Sequence, residues 1–531
     1  MERWQCGLCT HVYDESKESV RWADLPDDWV CPICGSPRSA FHLLPAEQTA
    51  QAAESPVETP AASYECDLCA HVYDESLEET PWAELPESWA CPVCGSGKSA
   101  FAANAEPAPT PSHVEPPTAG GVGEEYLSEW RRATDGLESH MADIHSLAIT
   151  GTSVIEPMRT RMPTFSWDEL LIRGAQLAKV PLNKSQPVTT QTMIGPSART
   201  PLVLDTPIFV THMSFGALSR EAKLALATGS ARVGTAMCSG EGGILPESLD
   251  AAHKYIFEYV PNKYSATDEY LKRVDAVEIK IGQSAKPGMG GHLPGHKVTR
   301  EIAEIRGFHE GHDIISPSHF PDIRSPSDLA ETIGMLREKT DGKPIGVKLA
   351  AGRLSEDIEI ALEAGVDFIT IDGRAGGTGA APKVVKAATS VPSIFALARA
   401  REILDANGAN AVSLVITGGL RISADFAKAL ALGADAIALG TAAMMAVGCQ
   451  QYRICNTGKC PVGIATQDPA LRARLNVELS ATRVANFFRA NTEELREFAR
   501  LTGNDDVHGL SRADLCTTNS EVSGHIGIEH V

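Results

Sequence analysis

From residue 207 onward the apolar residues gather in short runs that do not alternate with polar ones. The runs are "PIFVTHM" (207–213), "GTAMCS" (234–239), "AVEIKIG" (276–282), "DIISPS" (313–318), "PIGVKLA" (344–350), "DFITIDG" (367–373), "SLVITGG" (413–419) and "AIALG" (436–440). Such runs suit strands buried on both faces, because alternation would place polar side chains in a core. Segments with a helical apolar period lie between them, such as "ISADFAKALALG" at 422–433. Eight strands joined by crossover helices predict a (β/α)8 TIM barrel, with a doubly wound open sheet as the alternative.

The first hundred residues follow another pattern. "WQCGLCTHVYDES" at 4–16 returns as "YECDLCAHVYDES" at 64–76, and "WVCPICGSPRSAF" at 29–41 returns as "WACPVCGSGKSAF" at 89–101. Cys6, Cys9, Cys31 and Cys34 recur at the same offsets as Cys66, Cys69, Cys91 and Cys94. These are tandem copies of one small module, spanning 1–44 and 63–103. Modules this short need a staple, and four thiolates on one metal ion supply it. The segments 45–62 and 104–124 are rich in Ala, Pro and Glu and read as semi-stiff linkers, leaving 125–531 for the barrel domain.

Composition narrows the function. A net charge of -21 excludes a broad nucleic-acid surface. No apolar run is long enough to span a membrane, and "MERWQCGLC" lacks the plan of a secretory signal. A cytoplasmic protein is expected, in which grouped cysteines serve as metal ligands rather than disulfides.

In a barrel, chemistry gathers at the C-terminal strand ends. Met213 and Ser214 stand at the first, and Ser239 and Glu241 at the second. Lys280 precedes the loop "GQSAKPGMGGHLPG", which holds Gln283, Lys286 and His292. Gly376, Gly377, Thr378 and Gly379, then Gly418 and Gly419, then Gly440 and Thr441 expose backbone N–H groups in the late loops. Their convergence predicts a phosphate site. Lys348 lies inside an apolar strand and needs an anion. The electron-rich edge of a reduced flavin is one candidate, and a neighbouring carboxylate such as Asp372 is the other.

"MSFGALS", "GEGG", "KIGQSAKPGMGGHLPG", "DIISP", "GGTGAAP", "GGLR" and "CNTGKCPVGIATQDP" together resemble the FMN-binding domain of glutamate synthases, nearest to the short archaeal type. The N-terminal modules resemble rubredoxins. The resemblance implies FMN across the barrel mouth and a 3Fe-4S cluster on Cys449, Cys455 and Cys460. It also implies reduction of 2-iminoglutarate, made from 2-oxoglutarate and ammonia, with Lys286 and Arg306 on the substrate carboxylates and Glu241 near the reacting carbon.

Departures are visible too. His292 replaces the family's usual Gln, and Met289 replaces a carboxylate, both in the substrate loop. The family's glutaminase domain has no counterpart, so nitrogen is expected from ammonia, an amine or a separate glutaminase subunit. Thr10 and Ala70 stand where rubredoxins usually have Gly. Iron and zinc both suit the module cysteines. No G-x-G-x-x-G fingerprint for a nicotinamide cofactor follows an early strand. The redox partner is therefore expected to be a protein or the fused modules. Electrons could run outward instead, from an amino acid or N-alkylglutamate to rubredoxin. A non-enzymatic scaffold is the remaining alternative, and a homo-oligomer stays open. Cys238 and Cys516 receive no role beyond packing.

Overall fold

Eight parallel strands close into a barrel in sequence order, the last pairing with the first. They are β1 (Ile208–Val210), β2 (Ala236–Cys238), β3 (Lys254–Tyr259), β4 (Ala276–Lys280), β5 (Ile345–Ala350), β6 (Phe368–Asp372), β7 (Ser413–Thr417) and β8 (Ala436–Leu439). The computed structural model describes residues 3–6, 12–14, 20–26, 29–31, 37–43, 63–66, 72–74, 80–87, 89–91, 97–103, 138 and 140–531. The barrel expected from the apolar runs is present, with one strand exchanged. The run at 313–318 is not a barrel strand: Ile314–Ile315 pairs with His292–Leu293 in a separate two-stranded ribbon, inside the long excursion between β4 and β5. The missing strand is β3, "KYIFEY", whose lysine and glutamate hid its character. Glu258 in that strand is 2% exposed, so a polar residue faces the interior.

Local sequence sets the helices that wrap the barrel. Ser219 caps Arg220–Ala231 after β1 through a bond from the Ala222 N–H, and Ser325 caps Pro326–Lys339 before β5 with proline at the first helical position. The 25-residue helix Val477–Leu501 lies along Arg220–Ala231. The base of the barrel is apolar: the hairpin Thr192–Ile194 with Leu202–Leu204 contributes Ile194, Leu202 and Leu204 to a cluster with Phe209, Ile256, Phe368 and Val415. Polar groups occupy the other end. A dry base and a charged mouth fix where chemistry can occur.

The chain divides into two compact units, Met1–Ala52 with Glu156–Ala381 and Val385–Val531, and Ala53–Ile155 with Pro382–Val384. Each N-terminal module is a three-stranded antiparallel sheet with its first strand central: Arg3–Cys6 in one, Ser63–Cys66 in the other. Tyr13, Trp22, Leu25, Cys31 and Phe41 form the core of the first. Trp22 and its repeat Trp82 sit at the centre of the aromatic packing. Cys31 and Cys91 are buried. The side chains of Cys6, Cys9, Cys34, Cys66, Cys69 and Cys94, and residues Thr10 and Ala70, lie outside the described residues.

Candidate active site at the barrel mouth

One cavity opens over the C-terminal strand ends, and three cations meet one carboxylate in it. Lys280, the last residue of β4, pairs with Glu241 from the loop after β2. Burial alone would raise the Glu241 pKa. The ammonium groups of Lys280 and Lys286, with hydrogen bonds from Lys280 and Ser316, outweigh it and hold the group at about 2. Lys286 donates to the Gly290 carbonyl at 2.8 Å. Burial and the Lys280 charge pull its pKa down against Glu241, to about 8.

Arg306 ends the helix Arg300–Arg306 and is 9% exposed. It donates to the Phe215 carbonyl at 2.7 Å and lies 5.7 Å over the Tyr264 ring. Its Nε is buried without a hydrogen-bond partner. A Cβ at Gly242 would stand 2.6 Å from its Nη2, so glycine there is a requirement of the arginine's seat. At the rim, His292 Nε2 lies 2.7 Å from Asp313 Oδ2, both half-exposed.

The floor carries a second charged group. His212, just beyond β1, lies 2.9 Å from Glu278 of β4 and 3.7 Å from Glu258 of β3. Lys348 of β5 lies 3.6 Å from Glu258, with side chains 6% and 2% exposed. Burial pulls the Lys348 pKa down, but Glu258, Asp372 and Glu278 outweigh it and leave the group above its ordinary value. Lys348 stays charged. Its nearest carboxylate is Glu258 rather than Asp372, which instead accepts from Ser284 Oγ at 2.8 Å.

The far wall is a backbone cradle. Gly418 and Gly419 follow β7 with φ of 108° and 96°, a region closed to most side chains. Arg421 lines the cavity beside them and donates to the Leu420 carbonyl at 2.8 Å. No carboxylate forms an ion pair with it among the described residues. Burial and the charge of Arg159 lower its pKa to about 10. An anion bound at this point would relieve that repulsion.

Beyond β8 and the short helix Thr441–Val447, the chain enters the cysteine loop. Cys449, Cys455 and Cys460 are free thiols, with Cys460 buried. Burial, then repulsion from Cys460 and Cys449, pushes the Cys455 thiol up to about 11. Cys455 and Asn456 reach the cavity wall, and Lys297 stands between the two regions.

Residues 160–505 match the family model described as the conserved region in glutamate synthase. The chain belongs to the glutamate synthase family. Residues 3–41 and 63–101 match the rubredoxin family. Similar relatives include the archaeal glutamate synthase (NADPH) of Methanocaldococcus jannaschii, 43% identical over 65% of this chain and 66% of that one. The archaeal-type glutamate synthase (NADPH) of Thermotoga maritima is 38% identical over 70% of this chain and 78% of its own length. The archaeal glutamate synthase (NADPH) of Archaeoglobus fulgidus is 33% identical over 88% and 93%. Among solved structures, a mandelate oxidase mutant with a monooxide FMN adduct aligns over 65% of this chain and 87% of that one, at 17% identity and a TM-score of 0.43. Membership of this family makes the chain an oxidoreductase of glutamate-synthase type. Among the described residues no helix is long and apolar enough to cross a membrane.

Most residues singled out from the sequence as glutamate-synthase-like line this one cavity. They include Glu241, Lys280, Lys286, His292 and Arg306, together with Met213, Ser214, Gln283 and Lys348. The loop residues Gly376, Gly377, Thr378, Gly379, Gly418, Gly419, Gly440 and Thr441 join them. Ser239 does not. It is buried behind the wall, accepting from the Glu258 N–H at 2.9 Å and donating to the Gly240 carbonyl at 3.2 Å. His212, Glu258, Lys297 and Arg421 line the cavity without having been singled out. A glutamate inside "KYIFEY" was the available signal for Glu258, and the arginine of "GGLR" for Arg421. Cys238 and Cys516 are buried and free, which agrees with packing roles.

Proposed function

We propose that this chain reduces 2-iminoglutarate, formed from 2-oxoglutarate and ammonia, to L-glutamate. FMN would lie at the barrel mouth. Electrons would arrive through a 3Fe-4S cluster on Cys449, Cys455 and Cys460 and through rubredoxin-type iron in the two modules. The observation that carries this reading is the single cavity in which Lys280, Lys286 and Arg306 surround an ionised Glu241, between a glycine cradle and a three-cysteine loop. The family and the names of its relatives support the same reaction.

The residues present suit both implied groups. Arg421 with the Gly418–Gly419 backbone fits a phosphate, and Lys348 supplies a permanent positive charge in the cavity floor. The three free cysteines fit an iron–sulfur centre. FMN, when bound, supplies the hydride.

The chain's own groups do the rest. Converting the imine to the amine consumes two electrons and two protons. Arg306 presents a buried, unpartnered Nε and takes a substrate carboxylate with fixed direction. Lys286 takes the second carboxylate, which a dicarboxylate substrate requires. Glu241, ionised at neutral pH, does not donate a proton. Its fixed negative charge favours the protonated imine, the form that accepts a hydride.

Chemically reduced protein supplied with 2-oxoglutarate and isotope-labelled ammonium should yield labelled glutamate without glutamine. Absence of labelled product overturns the reading. Product formed only from an alkylamine would move the assignment to an N-alkylglutamate synthase.

A further inference from the structure

Lys297 is a buried cation. It closes the short 3-10 turn Gly295–Lys297 and is 5% exposed. Its ammonium donates to the main-chain carbonyl of Cys455. Among the described residues, no carboxylate forms an ion pair with it. Its Cε also packs against the turn at Gly458, where a Cβ would stand 3.2 Å away and φ is 73°. Burying an ammonium without an anion is costly, and neutral thiols do not supply one. Thiolates on a metal centre would.

We propose that Lys297 is the charge-compensating, positioning residue for the iron–sulfur centre on Cys449, Cys455 and Cys460, tying the cysteine loop to the wall of the substrate cavity. The inference rests on the cluster reading given above. Lys297 lines the cavity and bonds to the loop, so it links substrate-side and cluster-side walls through one side chain. A fixed cation beside a cluster stabilises the more negative, reduced form and raises its potential.

The test is an EPR-monitored redox titration of the purified holoprotein and of the variants Lys297→Gln and Lys297→Arg. Lys297→Gln keeps a donor for the Cys455 carbonyl and removes the charge. It should shift the one-electron reduction equilibrium of the cluster at least tenfold toward the oxidised form, about 59 mV. Lys297→Arg should stay near wild type, and the flavin potential from the same titration should move less than that of the cluster. An unchanged cluster potential in Lys297→Gln, with iron and sulfide intact, overturns the proposal. If Lys297→Gln loses the cluster, retention in Lys297→Arg supports the charge role, and loss in both assigns Lys297 to packing and overturns it. Wild-type protein with no such cluster overturns the cluster reading and this inference with it.

Discussion

In the first N-terminal module Trp4, Tyr13, Trp22, Trp29 and Phe41 pack with ring centroids 4.9 to 5.6 Å apart, so the core formed by the described residues is mostly aromatic. The barrel interior is apolar only at its base. Toward the mouth it holds His212, Glu258, Glu278 and Lys348, each almost wholly buried. Among the described residues of the module no charged side chain is buried. Arg38 donates to the Leu25 and Trp22 carbonyls and covers the Trp22 ring from 5.2 Å, and Lys98 repeats the arrangement on Trp82 in the second module. The contrast is one of means. A small fold with few core residues depends on aromatic rings and a metal staple. A large fold can carry the cost of a buried charged cluster and use it at a site.

Removing the metal should therefore give the largest effect and split the molecule. Chelation should unfold both modules while the barrel stays folded. Five of the seven tryptophans, Trp4, Trp22, Trp29, Trp82 and Trp89, lie in the modules, so tryptophan fluorescence reports them and far-UV circular dichroism reports the barrel. Simultaneous loss of both signals would break the contrast.

Within the barrel, Arg306→Lys should lower kcat/KM for the keto acid by about a hundredfold with little change in thermal stability, because a lysine cannot reproduce the directed grip of a guanidinium. An unchanged kcat/KM would remove Arg306 from carboxylate recognition. Glu258→Gln should destabilise the barrel by roughly 3 kcal/mol, the usual cost of breaking a buried pair from one side. Thermal denaturation checks this, and an unchanged midpoint would mean that Lys348 has no need of Glu258.

The pH effect is smaller and has a definite sign. Lys286 is charged below about 8 and neutral above it. A cation that holds a carboxylate is thus lost as pH rises, and kcat/KM should fall about tenfold per pH unit above that value. Lys286→Arg should shift the break upward. A profile that falls instead below pH 7 would contradict the role given to Lys286.

How much of this was legible in the sequence follows from the same contrast. The module repeat exposed every cysteine at a fixed offset, and the glycine-rich loops marked the cavity wall because backbone approach leaves few residue choices. Seven of the eight barrel strands were legible as apolar runs, and β3 was not, since Glu258 and Lys254 interrupt it. The segment at 313–318 imitated a strand through "DIIS" while serving in a ribbon. The buried pairs were invisible for a physical reason: Lys348 could be seen to need an anion and Asp372 was the carboxylate offered for it, whereas Glu258 lies in the strand the apolar pattern missed, and only the strand order puts β3 two strands from β5.

The most direct test of the central claim is the reoxidation of anaerobically reduced flavin in the purified holoprotein. The account predicts that 2-oxoglutarate and ammonium reoxidise it only when both are present, with one glutamate formed for every two electrons released by the protein's redox centres. Flavin that stays reduced with that pair, yet is reoxidised by another keto acid and amine, would contradict it.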